Sequence, residues 1–185
     1  MNPAVFLDRD GVIIQNRQKY VRSWKDVEFL PSSLQALKQL SQTTYKIIVI
    51  TNQSAIGRGI ITLEQAEAIN QRLIEEITAS GGRVDGLFIC PHAPDDHCFC
   101  RKPLPGLFLQ AADALSIDLP TSAMIGDALT DIQAGSAAGI KTLILVKTGR
   151  GHEQSQSPQT ILNRQFFISD DLLSAVNIIL SKSVL

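Results

Sequence analysis

Short apolar runs alternate with helical patterns along this chain. Ala4–Leu7, residues 47–50, residues 87–89, residues 123–125 and Thr142–Val146 are nearly uninterrupted apolar runs, and they read as strands buried on both faces. Helical spacing fills the intervals. Residues 32–40 place Leu34, Leu37 and Leu40 three apart, and Leu63–Ala79 places Ala66, Ile69, Leu73 and Ile77 on one face. Thr62-Leu63-Glu64-Gln65 is a capping-box pattern at the start of that helix, and Gly81-Gly82 ends it. Gly106–Leu115, residues 130–138 (stopped by Gly139) and residues 170–180 complete the helical set.

Strands that alternate with helices of about ten residues predict an α/β fold, a parallel sheet with helices on both faces and right-handed crossovers. Residues 14–29 lack clear periodicity and are long for a plain connection, so they read as a functional flap or as disorder. Residues 149–163 are polar and aperiodic and read as a loop. No internal repeat is visible.

Composition narrows the class. The chain has 185 residues, 44% of them hydrophobic and 19% charged, which suits one globular domain over 1–185 rather than a disordered chain. A net charge of −1, with no basic block and few aromatics, gives neither nucleic acid nor a membrane surface electrostatic support. The N-terminus has no basic-then-apolar leader and no apolar run approaches about 18 residues, so a cytoplasmic protein is expected. A monomer is the expected state.

Several strands finish in polar residues, and ligands in open α/β sheets bind at the carboxyl ends of strands. The first strand runs into Asp8-Arg9-Asp10-Gly11, the second into Thr51-Asn52-Gln53-Ser54, and the fourth into Gly126-Asp127; Arg101-Lys102-Pro103 lies in the loop after the third. Asp8 and Asp127, with a backbone carbonyl near Asp10, are a hard-oxygen set for Mg²⁺. Asp8 is placed to attack phosphorus and Asp10 to act as general acid and base. Thr51 and Lys102 are placed to stabilise phosphoryl oxygens. Asp131 serves equally as a further acid of the site or as a charge at a helix N-terminus. A calcium loop is excluded, because Val12 and Lys19 stand at its fifth and twelfth positions.

All three cysteines fall within a short stretch: Cys90-Pro91-His92 and Cys98-Phe99-Cys100. Three thiolates and an imidazole match a closed structural Zn²⁺ site, and a long loop, residues 90–105, with little core of its own would need such a clip. His97 and His152 read as exposed loop histidines. An odd cysteine count without a leader argues against a disulfide framework.

Phe6-Leu7-Asp8-Arg9-Asp10-Gly11-Val12, Ile50-Thr51-Asn52-Gln53-Ser54 and Ile125-Gly126-Asp127-Ala128-Leu129-Thr130-Asp131 resemble, in order, the motifs of the haloacid-dehalogenase superfamily. The resemblance implies a Rossmann-like three-layer sheet and a Mg²⁺-dependent phosphatase. It makes Asp8 the nucleophile, Asp10 the acid/base, Thr51 and Lys102 the phosphoryl stabilisers, and Asp127 the third Mg²⁺ anchor. The intervals between motifs leave no room for a large cap domain.

The cysteine loop resembles two groups within that superfamily, the D-glycero-D-manno-heptose 1,7-bisphosphate 7-phosphatases and the histidinol-phosphate phosphatases. Residues 51–59, and Tyr20-Val21 followed by Val27-Glu28-Phe29-Leu30-Pro31, look more like the heptose group. That implies a small phosphorylated sugar met by Tyr20, Asn52, Gln53, Ser54, Arg58 and Arg101. Ala55 and Ala128 depart from the heptose pattern. The alternatives are histidinol-phosphate hydrolysis and, in another class, a non-catalytic zinc-stabilised binding domain.

Overall fold

A computed structural model of the chain describes residues 2–157 and 165–182. Six parallel strands form one sheet: β1 (Ala4–Leu7), β2 (Lys46–Asn52), β3 (Gly86–Cys90), β4 (Ala123–Gly126), β5 (Thr142–Val146) and β6 (Phe167–Ser169). Their spatial order is β3-β2-β1-β4-β5-β6. This is a doubly wound order that reverses between β1 and β4, and the crevice at that switch point is where such sheets bind ligands.

Alternation along β1 explains the three layers. Val5 and Leu7 face one side, where α1 (Ser33–Ser41), α3 (Leu63–Ala79) and the C-terminal α7 (Leu172–Lys182) pack through Leu37, Leu73 and Val176. Ala4 and Phe6 face the other, against α4 (Gly106–Leu115) and α5 (Leu129–Ala137) through Phe108 and Ile132. The Phe6 and Phe108 ring centroids are 4.9 Å apart. Every residue of β1 is fully buried, worth about 1.5–3 kcal/mol for each large side chain. That burial makes β1 a rigid post for whatever follows it.

The capping box at α3 is formed: the Gln65 amide donates to Thr62 Oγ1 at 3.2 Å and the Thr62 amide to Gln65 Oε1 at 2.9 Å. The predicted strands are all present, with β2 reaching further, to Asn52. Short elements add to the predicted set, among them α2 (Ser54–Gly57), one turn directly after β2, and the edge strand β6. Residues 151–155, expected as loop, form a short helix, α6 (Gly151–Ser155), because the Gly151 and His152 amides bond back to Thr148 and Lys147. The rest of that expected loop lies partly outside the described residues.

The flap is ordered rather than loose. Ile14 bridges Phe29 in antiparallel fashion, and the Gln15 amide donates to the Glu28 carbonyl at 2.8 Å. Arg17 Nε donates to the Asp26 carbonyl at 2.9 Å, and Trp24 lies under the Arg72 guanidinium of α3, 4.5 Å away. No helix among the described residues is long and apolar enough to cross a membrane.

Candidate active site and metal centre

Asp8 and Asp127 follow β1 and β4, the two strands that flank the switch point, and the Asp8 amide donates to Ile125 on β4 at 3.1 Å. Both are buried. Carboxylate oxygens of Asp8, Asp127 and Asp131 lie within 4.8 Å of one another. Three buried acids so close disfavour one another's charge. Burial raises Asp127, with the Asp8 charge adding. Burial also pushes Asp131 up to about 6 against the pull of Lys102. Lys102 and Arg150 offset part of this charge, a divalent cation would offset the rest, and hard oxygen donors are the ligands Mg²⁺ takes, so the residues fit it.

The backbone is shaped around Asp127. Gly11 holds φ +84° and Gly149 holds φ +58°, and a Cβ on either would strike the Asp127 carboxylate. Only glycine meets both demands at these two points.

Lys102 reaches the same place from the loop after β3. Its Nζ is 2.9 Å from Asp8 Oδ1 and 2.7 Å from Asp131 Oδ1, and it donates to the Ile50 carbonyl at 3.1 Å. The ammonium is thus held between two carboxylates and one carbonyl. Burial lowers its pKa, but the Asp131 and Asp8 charges outweigh burial and hold it above the ordinary lysine range. Asn52 grips the backbone of Lys102 reciprocally: Asn52 Nδ2 donates to the Lys102 carbonyl, and the Lys102 amide donates to Asn52 Oδ1, both at 3.1 Å.

Asp10 is held by its neighbour. Arg9 Nε and Nη2 each lie 2.9 Å from Asp10 Oδ2. Arg9 Nη1 donates to Asn70 Oδ1 at 2.8 Å, and that oxygen also accepts from Gln53 Nε2 at 3.2 Å. Burial raises the Asp10 carboxyl above its usual range, Arg9 opposes the rise, and Asp8 adds to it. A carboxyl so placed gives and takes protons nearer neutral pH than a free one.

Most of these groups, though not Asp127 or Asn70, line a cleft of about 260 Å³. Asp8, Asp10, Thr51, Asn52, Gln53, Ser54 and Lys102 come from the strand-end side; Asn16, Arg17 and Tyr20 come from the flap; Arg101 and Arg150 complete the wall. Arg58, expected among the substrate contacts, is exposed and does not line the cleft. The cause is local: the Gly57 amide donates to the Pro91 carbonyl at 2.7 Å, which presses α2 onto the cysteine loop and leaves Arg58 at its outer end. Ala55 is buried and lines the cleft, while Ala128 begins α5 with its amide donating to Asp131 Oδ2 at 3.0 Å.

Cys90, His92, Cys98 and Cys100 converge. Cys90 Sγ is 3.6 Å from both His92 Nδ1 and Cys98 Sγ, Cys100 Sγ is 3.6 Å from Cys98 Sγ, and His92 Nδ1 is 3.3 Å from Cys100 Sγ. A tetrahedron with metal–sulfur bonds of about 2.3 Å has edges of about 3.8 Å, so the four atoms nearly trace that figure. Burial raises Cys90 and pushes Cys100 up to about 12, a cost that a bound cation offsets by holding thiolates. His97 and His152 are exposed, as expected, but His152 lies on α6 rather than in a loop.

Arg9, Asn16, Arg17, Asn70 and Arg150 are among the site residues to which the sequence assigned no role. Arg150 was within reach of the rule that found the others, since it follows the end of β5 by four residues. Asn70 had no such signal: it sits mid-helix on α3 and meets Arg9 only through the fold.

The fold and the paired strand-end carboxylates define a haloacid-dehalogenase-type hydrolase, and the HAD-hydrolase-like family model matches residues 99–175. The D-glycero-beta-D-manno-heptose-1,7-bisphosphate 7-phosphatase of Bordetella bronchiseptica is 40% identical over 149 residues, covering 80% of this chain and 83% of its own. The Pseudomonas aeruginosa protein of the same name is 38% identical over 176 residues, covering 95% and 97%. A crystal structure of D,D-heptose 1,7-bisphosphate phosphatase from B. bronchiseptica, complexed with magnesium and phosphate, superposes with a TM-score of 0.89 at 36% identity and covers 97% of this chain and 99% of that one. The chain belongs to the D-glycero-beta-D-manno-heptose-1,7-bisphosphate 7-phosphatase family.

Proposed function

We propose that this protein is a Mg²⁺-dependent phosphatase that removes the 7-phosphate of D-glycero-D-manno-heptose 1,7-bisphosphate through an aspartyl-phosphate. The observation that carries the chemistry is Asp8 at the end of β1, with Lys102 Nζ 2.9 Å away and the Asp10 carboxyl raised by burial beside it. Membership of the family carries the substrate.

An Asp8 oxygen attacks phosphorus, and the bond between phosphorus and the sugar oxygen breaks. Asp10 gives its proton to that leaving oxygen. Asp10, now a carboxylate, takes a proton from water; the water oxygen attacks phosphorus, the bond to Asp8 breaks, and inorganic phosphate leaves. Lys102 sits against Asp8 where negative charge gathers, and the Thr51 hydroxyl lines the cleft beside it as a donor to a phosphoryl oxygen. Asp8, Asp127 and the Asp10 backbone carbonyl would hold Mg²⁺, which supplies charge stabilisation to the phosphoryl oxygens when bound.

Arg101 and Arg17, rather than Arg58, are the cleft cations assigned here to the remaining phosphate, with Tyr20, Asn16, Gln53 and Ser54 around the sugar. The cysteine–histidine centre is assigned Zn²⁺ in a structural role, fixing the loop that carries Arg101 and Lys102. The test is regiochemical. Phosphorus NMR of heptose 1,7-bisphosphate turned over by the purified protein should show the 7-phosphate resonance lost and the 1-phosphate kept. Loss of the 1-phosphate, or of both at equal rates, would refute the assignment.

A further inference from the structure

Arg150 holds both oxygens of Asp127. Its Nη2 is 3.2 Å from Oδ1, its Nε is 3.4 Å from Oδ2, and its backbone amide donates to Oδ2 at 2.9 Å. Asp127 is fully buried, whereas the Arg150 side chain is about half exposed and lines the cleft. The two partners are thus unequal: the acid is fixed and the cation has somewhere else to go.

The segment carrying Arg150 is built to bring it there. Thr148 Oγ1 donates to the Gly11 carbonyl at 2.5 Å, and Gln154 Oε1 accepts from the Leu129 amide at 2.5 Å, so both ends of the segment are tied, one to the loop after β1 and the other to the start of α5. Gly149, with no room for a Cβ, lets the backbone press against Asp127 between those ties.

The geometry points to Arg150 as a resident counter-cation of Asp127, which a divalent metal must displace. This rests on the reading that Asp127 is a Mg²⁺ ligand. Without a cation, Asp127 would be an uncompensated carboxylate beside Asp8 and Asp131, which is costly in a buried site. The guanidinium meets that need without filling a metal's coordination shell. A metal held by Asp127 would compete with the guanidinium, so the Nη2 and Nε contacts would be lost, while the backbone amide on Oδ2 would keep the carboxylate aimed. Arg150 is therefore a positioning residue that lowers metal affinity and keeps the metal-free fold intact.

The experiment measures metal binding directly, on the full chain, with Mn²⁺ alone as a spin-resonance probe of the divalent site. Arg150→Gln should bind Mn²⁺ about fivefold more tightly than wild type, the scale expected for losing one partly screened competing charge. Arg150→Lys, which keeps the charge but not the two-pronged reach, should fall between. Equal or weaker binding by Arg150→Gln overturns the inference. If Arg150→Gln does not fold, the wild type decides: the Arg150 Nε–H proton resonance should broaden by exchange with water as Mg²⁺ is added, and a resonance unchanged at saturation overturns it equally. Asp127→Asn separates the two readings. If it binds Mn²⁺ as wild type does, the metal assignment itself fails; if it loses Mn²⁺ while Arg150→Gln is unchanged, only the counter-cation role fails.

Discussion

Lys102 Nζ lies 2.9 Å from Asp8 Oδ1, an ion pair with both side chains buried, and it joins the candidate nucleophile to the loop of the cysteine–histidine centre. Lys102 is two residues beyond Cys100, and Asn52 clamps its backbone from the end of β2. The position of one ammonium therefore depends on three elements: β1, β2 and the metal-type loop.

Asp8→Asn should abolish turnover and leave the fold intact. The amide cannot act as an anionic nucleophile, and loss of a covalent nucleophile costs on the order of several powers of ten in rate. Lys102 keeps its contacts with Asp131 and Ile50 in the variant, so no charge is left wholly unpaired. Initial rates and circular dichroism check this together. A well-folded variant with more than about a tenth of wild-type activity would remove Asp8 from its role.

Cys98→Ser should lower both stability and turnover. Cys98 Sγ sits 3.6 Å from the sulfurs of Cys90 and Cys100, and taking it away opens the tetrahedron. A fall in melting temperature of on the order of 5 °C or more is expected, with zinc content dropping from near one per chain. Turnover should fall because the loop that delivers Lys102 loosens, while KM for Mg²⁺ stays near its wild-type value. Elemental analysis that finds no zinc in protein prepared without chelators contradicts the zinc assignment.

Arg9→Met should move a pH profile in a definite direction. Arg9 opposes the burial-driven rise of the Asp10 carboxyl, so its removal raises Asp10 further. Phosphoryl transfer from substrate requires Asp10 protonated, which sets the alkaline limb of kcat/KM. That limb should shift to higher pH in the variant, and kcat should fall as Asp10 loses its anchor. A limb that moves to lower pH would show that another group governs it.

The layered fold was legible because β1, β4 and β5 are continuous apolar runs and because Thr62, Gln65 and Gly81 mark the limits of α3. Edge strand β6 escaped because Phe167, Ile168 and Ser169 form a three-residue run that is largely unburied on one side. The site followed from one rule, that polar residues after strands converge, and Asp8, Thr51, Lys102 and Asp127 obey it. Arg58 broke it, since the single turn of α2 carries that residue past the rim. Asn70 could not be read at all: its partner Arg9 is distant in sequence, and a mid-helix asparagine looks like any solvent-facing one.

Substrate choice is tested by kcat/KM for D-glycero-D-manno-heptose 1,7-bisphosphate and histidinol phosphate, measured side by side on the same preparation with saturating Mg²⁺. Arg17, paired with Glu28 at 2.9 Å, and Arg101 line the cleft, and cations set beside the ligand's second group favour a phosphate there and repel an ammonium. A single charge reversal at such a site is worth roughly 2–3 kcal/mol, or about a hundredfold in rate. The heptose bisphosphate should therefore lead by about a hundredfold, and Arg17→Ala with Arg101→Ala should erode that lead. A histidinol-phosphate value equal to or above the heptose value would contradict the account.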